Sequence, residues 1–187
     1  MALMHPQHHL ILQPFEPIAG DTIQLEAKID CLSHGRLQVE FVLHDPEGHV
    51  LWPYPAPQPL RADFLWEHTC FELFVGQEGR DGYTEFNFSP RRAWNAYHFD
   101  RYREPKQMPP LHERLVNVTT LEVAHHRLEA IIELTPKLST TSTLQLNVCA
   151  VLEHPLGRLS YWALQHGGDV ADFHRVTDRT IGLTLLA

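Results

Sequence analysis

The sequence contains no long apolar run and relatively few basic residues, and each absence excludes a class of protein. No stretch approaches the roughly 18 uncharged apolar residues that a membrane-spanning helix needs. Lys and Arg number 15 and Asp and Glu 23 in a chain of 187 residues, so the formal net charge is −8. Because a phosphate backbone is bound through clustered Lys and Arg, we expect neither a nucleic-acid partner nor a membrane partner.

Cysteine is scarce as well, and its placement excludes a disulfide-rich scaffold. The three residues Cys31, Cys70 and Cys149 form no C-x-x-C motif, and an odd number cannot all pair within one chain. The segment 1–15 has no basic start and only a short apolar run at 10–12, unlike a secretory signal peptide. We therefore expect a cytoplasmic protein with reduced thiols and no intrachain disulfide.

Common catalytic and cofactor-binding motifs are also missing. The chain has no G-x-S-x-G motif, and Gly167-Gly168 alone is too weak a signal for a phosphate-binding loop. The 14 His residues are most simply polar surface residues. His166, Asp172 and His174 are close in sequence, but their spacing matches no strong metal-ligand motif. We predict no cofactor, with a divalent metal at these three residues as the weaker alternative.

Alternation of apolar and polar residues is what the sequence has in abundance. The segments 23–29 and 37–43 both show the period-2 pattern of half-buried strands. The proline-rich segment 52–61 is typical of an extended loop, and for 91–102 the pattern favours a strand over a helix. We expect about ten to twelve short strands in a single all-β domain over residues 1–187, built as a two-sheet antiparallel β-sandwich.

One predicted hairpin concentrates polar side chains on a single sheet face. It joins 69–75 to 82–88, and Phe71 and Leu73 should share the core face with Phe86, because a one-residue slip would bury carboxylates. The opposite face then carries Glu72, Phe74, Tyr83, Glu85 and Asn87. Aromatic rings pack on C–H surfaces while carboxylates and amides bind hydroxyls, so this face suits a hydroxyl-rich small molecule.

The same region resembles a known family. The segment 66–74 (WEHTCFELF) resembles the W-x-x-(D)-x-(V/F)-E-x-F motif of the DOMON-like superfamily, which includes the type 9 carbohydrate-binding modules. The segments 83–90 (YTEFNFSP), 94–103 and 160–166 continue the resemblance to a bacterial DOMON-like group. Thr69 stands where the type 9 modules tend to carry Asp, so their sugar contacts do not transfer directly to this chain.

The resemblance implies a β-sandwich that binds a small molecule without catalysing a reaction, with a carbohydrate as the first expectation. Members of the superfamily bind sugars or haem, and Met108, in a loop, is a poor axial ligand for haem. In the sugar-binding modules two Trp side chains clamp the sugar, and Trp66 and Trp162 are the candidates here. The predicted ligand-binding residues are Trp66, Glu72, Glu85, Asn87, Tyr97, Trp162 and His166.

Two other functions stay open from the sequence. Glu72 and Glu85 on one sheet face could act as the general acid and the nucleophile of a sugar-processing hydrolase. Alternatively, the chain could be a ligand-free scaffold or oligomerisation domain whose polar face is simply solvated. The pattern gives no prediction of the oligomeric state.

Overall fold

The described part of the chain is an all-β structure with twelve strands. A computed structural model describes residues 8–17, 20–32, 35–139 and 143–185. The strands are β1 (His8–Pro14), β2 (Gln24–Leu32), β3 (Arg36–His44), β4 (Leu60–Arg61), β5 (Cys70–Gln77), β6 (Tyr83–Ser89), β7 (Ala93–Phe99), β8 (Asn117–Ala124), β9 (Arg127–Glu133), β10 (Thr143–Glu153), β11 (Leu159–Ala163) and β12 (Ile181–Thr184). The helical elements are α1 (Pro136–Ser139) and the 3₁₀ turns Leu65–Glu67, Pro155–Gly157 and Val176–Asp178. Within these ranges no helix has the length and apolar character to cross a bilayer.

The strands form one continuous sheet that curls on itself. The strand order is β4-β7-β6-β5-β10-β11-β1-β2-β3-β9-β8, with β12 paired to β10. β1 joins the two halves, because residues 8–12 pair with β2 while Gln13 and Pro14 pair with β11. The halves face each other across the core, where the ring centroids of Phe41 on β3 and Phe71 on β5 lie 5.0 Å apart.

The all-β class agrees with the prediction, but the connection between the halves does not. Two separate antiparallel sheets were expected, whereas the strands are hydrogen-bonded into a single sheet that is mixed, since β4 pairs parallel to β7. The strand that makes the connection, β1, was not predicted. Apolar and polar residues do not alternate regularly along β1, and only Leu12 is fully buried. The sequence of β1 therefore lacks the period-2 pattern from which most other strands were predicted. The sandwich-like packing therefore arises from one curled sheet.

Burial differs between the two halves of the sheet. β2 and β3 bury every second residue, such as Leu25, Ile29, Leu37 and Phe41, and expose the residues between them to various degrees. β5, β6 and β7 are instead buried along nearly their whole length on both faces. A second layer of chain must therefore cover the outer face of these three strands, and that layer builds the site described below.

A core substitution should report the packing between the two halves. Phe71 is fully buried and contacts both Phe41 and Trp52, whose ring centroids lie 5.0 and 5.7 Å away. We expect Phe71→Ala to lower the free energy of unfolding by about 3–5 kcal/mol in chemical denaturation. Tyr54→Ala is the control, because Tyr54 is 97% exposed and its loss should change stability by less than about 0.5 kcal/mol. Equal effects of the two substitutions would contradict this account of the core.

Candidate ligand-binding site

The polar face of the β5–β6 hairpin is buried. Leu73 pairs with Phe86 on the core side, while Glu72 lies opposite Asn87 and Phe74 lies opposite Glu85. This confirms the predicted register, with both carboxylates on the face directed away from the core. Glu72 and Glu85 expose only 4% and 5% of their surface, so a simply solvated outer face is ruled out.

A cavity of about 710 Å³ lies over this face. Glu72 and Glu85 are part of its lining, and the aromatic side chains Trp66, Phe99, Tyr161 and Phe173 line it as well. Residues of the loops at 103–110 and 171–174 complete the enclosure. The volume falls within the range of small-molecule sites, which are mainly apolar with a few convergent polar groups.

Asp63 holds Trp66 at the edge of the cavity. Trp66 lies in the 3₁₀ turn Leu65–Glu67 and packs edge-on against Tyr97, with ring centroids 5.6 Å apart. Tyr97 Oη donates to Asp63 Oδ1 at 2.9 Å, and His112 Nε2 donates to the same oxygen at 2.7 Å. Burial raises the pKa of Asp63, but the hydrogen bonds from His112 and Tyr97 outweigh it and leave the pKa lowered. An ionised Asp63 therefore anchors the segment that carries Trp66.

Asp172 organises the opposite side of the cavity in the same way. Arg103 Nη2 donates to Asp172 Oδ1 at 2.9 Å, and Tyr102 Oη donates to Asp172 Oδ2 at 2.9 Å. Two residues further along, His174 Nδ1 lies 2.7 Å from Tyr83 Oη. These contacts join the loop after β7 to the loop before β12, so that both loops close over the carboxylates.

Burial changes the protonation of the central groups. It raises the pKa of Glu85 to about 7, although Asn87 and Arg103 act in the opposite direction. Burial, together with the charge of Glu85, raises the pKa of Glu72 well above its usual range. Burial also lowers the pKa of His174, whose Nε2 lies 3.7 Å from Glu85 Oε2, to about 3. At neutral pH the site thus holds a protonated carboxyl that can donate a hydrogen bond and a neutral imidazole.

The structure brings three of the seven predicted ligand-binding residues into the cavity lining, namely Trp66, Glu72 and Glu85. Asn87 and Tyr97 stand directly behind the lining and are fully buried. Asn87 Nδ2 donates to Glu85 Oε1 at 2.8 Å, and Tyr97 supports Trp66 as described above. These two residues position the lining instead of forming it.

Trp162 and His166 lie elsewhere. Trp162 pairs with Ala150 on the core side of the sheet, and its Nε1 donates to Ser160 Oγ at 3.0 Å. Successive residues of β11 point to opposite faces, so its neighbour Tyr161 lines the cavity. His166 is half-buried, and its Nε2 donates to the backbone carbonyl of Gln13 at 2.9 Å.

Of the three residues considered as metal ligands, only two lie together. His166 is held at Gln13, whereas Asp172 and His174 line the cavity. No group of three or more His, Cys, Asp or Glu side chains in the described ranges is arranged to hold a metal ion.

All three cysteines are buried and free. Burial raises the pKa of Cys70 and of Cys149, which leaves both as unreactive thiols.

The cavity contains residues that the sequence did not indicate as ligand-binding. Arg103, Phe173 and Tyr161 line it, and Asp172 and His174 were considered only as metal ligands. Two signals were available: Arg103 belongs to the densest basic stretch of the sequence, and Arg103 and Tyr161 lie in the segments 94–103 and 160–166 that resemble a DOMON-like group. Loop residues carry no periodic pattern, so their place in the site depends on tertiary contacts.

Comparison with known proteins identifies a similar fold. No known family model matches the chain, and no curated protein matches its sequence. The fold is similar to that of a candidate carbohydrate-binding protein from Bacteroides uniformis solved by crystallography, with a TM-score of 0.56 and 12% sequence identity. The match covers 94% of this chain and 86% of that one. At this identity the similarity concerns the fold alone.

The raised pKa of Glu85 should be visible in the pH dependence of stability. The usual pKa is near 4.5 and the folded value about 7, so the folded state keeps a proton that the unfolded state loses between these pH values. Stability from this group is therefore complete below pH 4.5 and falls as the pH rises to about 7. Glu85→Gln stays neutral, so we expect it to match wild type near pH 4 and to exceed it at pH 8 by on the order of 3 kcal/mol.

Denaturation of wild type and variant at each pH measures this difference. Comparing the two proteins at the same pH cancels the contribution of His174 titrating by itself, which has the opposite sign because its pKa is lowered. Glu72 adds to the difference in the same direction as Glu85, because burial and the charge of Glu85 raise its pKa. Glu122→Gln is the control, since Glu122 is exposed on β8. A difference between Glu85→Gln and wild type that does not change with pH would show that the pKa of Glu85 is the same in the folded and unfolded states, which would contradict a raised pKa.

Proposed function

We propose that this chain binds a carbohydrate in the cavity over β5 and β6 and does not change it chemically. The observation that carries the proposal is the convergence of Trp66, Tyr161, Glu72 and Glu85 on one cavity of about 710 Å³. The resemblance to DOMON-like domains and the fold shared with a candidate carbohydrate-binding protein support the same function.

The chemistry of the lining suits a sugar ring. Trp66 is half-buried and Tyr161 is 37% exposed, so both present aromatic surface to a ligand, and aromatic faces pack well on the C–H surface of a sugar. Glu72 can donate a hydrogen bond when protonated, and Glu85 can accept one. A sugar hydroxyl both donates and accepts, so it can satisfy two such groups at once.

Removing an aromatic side chain from the cavity lining should weaken ligand binding without unfolding the protein. We expect Trp66→Ala to raise the Kd for the sugar about tenfold, because a lost aromatic contact costs roughly 1–2 kcal/mol. Wild-type affinity should lie in the micromolar to millimolar range, about −4 to −8 kcal/mol. The measurement is isothermal titration against a panel of neutral and acidic monosaccharides and oligosaccharides.

Three further variants make this test specific. Tyr161→Ala should also weaken binding, since Tyr161 lines the same cavity, whereas Tyr54→Ala should leave it unchanged. Trp162→Ala removes a core residue instead, so it should cost about 3–5 kcal/mol of stability. If no sugar of the panel binds, or if Trp66→Ala binds as tightly as wild type, the proposal is wrong.

The two buried carboxyl groups favour glycoside hydrolysis as a second candidate function. A carboxyl with a pKa near 7 is suited to general acid catalysis at neutral pH, and Glu85 has this property. Glu72 on the neighbouring strand lines the same cavity and would supply the second carboxyl group of such a pair.

Turnover of aryl glycosides separates the two candidates. A binding protein should release nitrophenol from these substrates no faster than buffer does. A hydrolase should show turnover that falls by about 10²–10⁴ in Glu85→Gln while ligand binding persists. Turnover that survives in both Glu85→Gln and Glu72→Gln would come from a contaminating enzyme and would count against hydrolysis by this site.

A further inference from the structure

A second cavity lies on the other side of Asp172 and His174. Its volume is about 540 Å³, and both cavities have these two residues in their lining. Arg101, Arg175 and Arg179 also line the second cavity. Three guanidinium groups around one cavity are notable in a chain with a formal net charge of −8. The overall field of such a protein repels anions, so anion binding would need a local site of this kind.

Arg179 is buried and forms no ion pair with any residue that the structure describes. It exposes only 5% of its surface, and its Nε has no hydrogen-bond partner in the described part of the chain. Its Nη2 donates to the backbone carbonyl of Asp81 at 3.3 Å, and its guanidinium lies 4.9 Å above the centre of the Tyr83 ring. A buried charge normally has an ionic partner, so this arginine has unused capacity to bind an anion.

Two glycines provide the space that the guanidinium groups occupy. A Cβ atom at Gly76 would collide with Nη1 of Arg179, and a Cβ atom at Gly168 would lie 2.5 Å from Nη1 of Arg175. The 3₁₀ turn Val176–Asp178 separates the two arginines in sequence and leaves both along one cavity. The positions of both guanidinium groups therefore depend on local features of the fold.

Two other charged groups of the cavity already have partners. Arg101 Nη2 donates to Glu104 Oε2 at 2.7 Å. Asp172 accepts hydrogen bonds from Arg103 and Tyr102 on its two oxygens. The charge of Arg101 is therefore balanced by Glu104, and Asp172 is not available to neutralise Arg175 and Arg179.

The remaining groups leave an excess of positive charge. The pKa of His174 is lowered to about 3, mainly by burial, so His174 carries no charge at neutral pH. Asp81 is exposed to solvent, and no ion pair within the described ranges involves Arg175 or Arg179. Among the lining residues Arg175 and Arg179 thus face a single exposed carboxylate, that of Asp81. Asp178 is buried near the guanidinium of Arg175 but does not line the cavity.

We propose that Arg175 and Arg179 bind an oxyanion in the second cavity, and that the ligand of the first cavity is an acidic sugar such as a sugar phosphate or a uronic acid. Guanidinium groups bind phosphate and carboxylate through paired charge-assisted hydrogen bonds. The sugar ring lies between Trp66 and Tyr161, and its anionic group reaches across Asp172 and His174 to the arginines. The choice of an acidic sugar rests on the proposed function, whereas the oxyanion site does not.

The test uses matched ligands and matched variants of the full chain. Inorganic phosphate, neutral hexoses, and the corresponding hexose phosphates and uronic acids are titrated by calorimetry. We expect acidic sugars to bind at least about tenfold more tightly than their neutral counterparts, because charge-assisted hydrogen bonds are the stronger ones. In Arg175→Gln and Arg179→Gln this advantage should disappear, and phosphate binding should weaken at least about tenfold.

Two variants control for charge and for folding. Arg158→Gln removes an exposed arginine outside both cavities and should bind every ligand as wild type does. Gly168→Ala keeps all charges but displaces the guanidinium of Arg175, so it should also weaken phosphate binding. If Arg179→Gln fails to fold, Arg175→Gln and Gly168→Ala decide the question, because Arg175 is only half-buried.

The outcomes separate this inference from the proposed function. Neutral sugars that bind in a Trp66-dependent way, without phosphate binding or any advantage of acidic sugars, would overturn the oxyanion site and the acidic-sugar ligand but leave the carbohydrate function intact. Phosphate binding that depends on Arg175 with no sugar of either kind bound would overturn the carbohydrate function and the acidic-sugar ligand. Equal phosphate binding by wild type, Arg175→Gln and Gly168→Ala would also refute the oxyanion site.

Discussion

The register between β5 and β6 is the constraint on which the rest of the site depends. With Leu73 opposite Phe86, the pairs Glu72–Asn87 and Phe74–Glu85 must lie on the other face. A slip of one residue would move both carboxylates into the apolar core, where each unpaired ion costs several kcal/mol. The hydrophobic core that stabilises the fold therefore also determines on which face the carboxylates lie.

Two aspartates hold the layer that covers this face. Asp63 accepts hydrogen bonds from Tyr97 and His112 and so fixes the turn that carries Trp66. Asp172 accepts hydrogen bonds from Tyr102 and Arg103 and so joins the loops on the opposite side. For both aspartates these hydrogen bonds outweigh burial and lower the pKa, so each anchor is ionised at neutral pH.

Charge is unevenly distributed across the covered region. Glu72 and Glu85 lie in the first cavity, where burial raises the pKa of each. Arg175 and Arg179, which form no ion pair in the part of the chain that the structure describes, line the second cavity. His174 and Asp172 belong to both linings and add no free charge, because one is neutral and the other is ion-paired. One end of the region is thus suited to hydroxyl groups and the other to an anion.

Local alternation in the sequence was enough to predict most of the strands, the β5–β6 register and the shared face of Glu72 and Glu85, because successive side chains of a strand point to opposite faces. The same alternation could not show which of Tyr161 and Trp162 faces the cavity, since that depends on the partner strand β10. Nor could it show that β1 joins both halves of the sheet. Only the tertiary structure decided which loops cover the carboxylates. The hydrogen bond from Arg103 to Asp172 links loop residues that are far apart in the chain. Loops carry no periodic signal from which such a contact could be predicted.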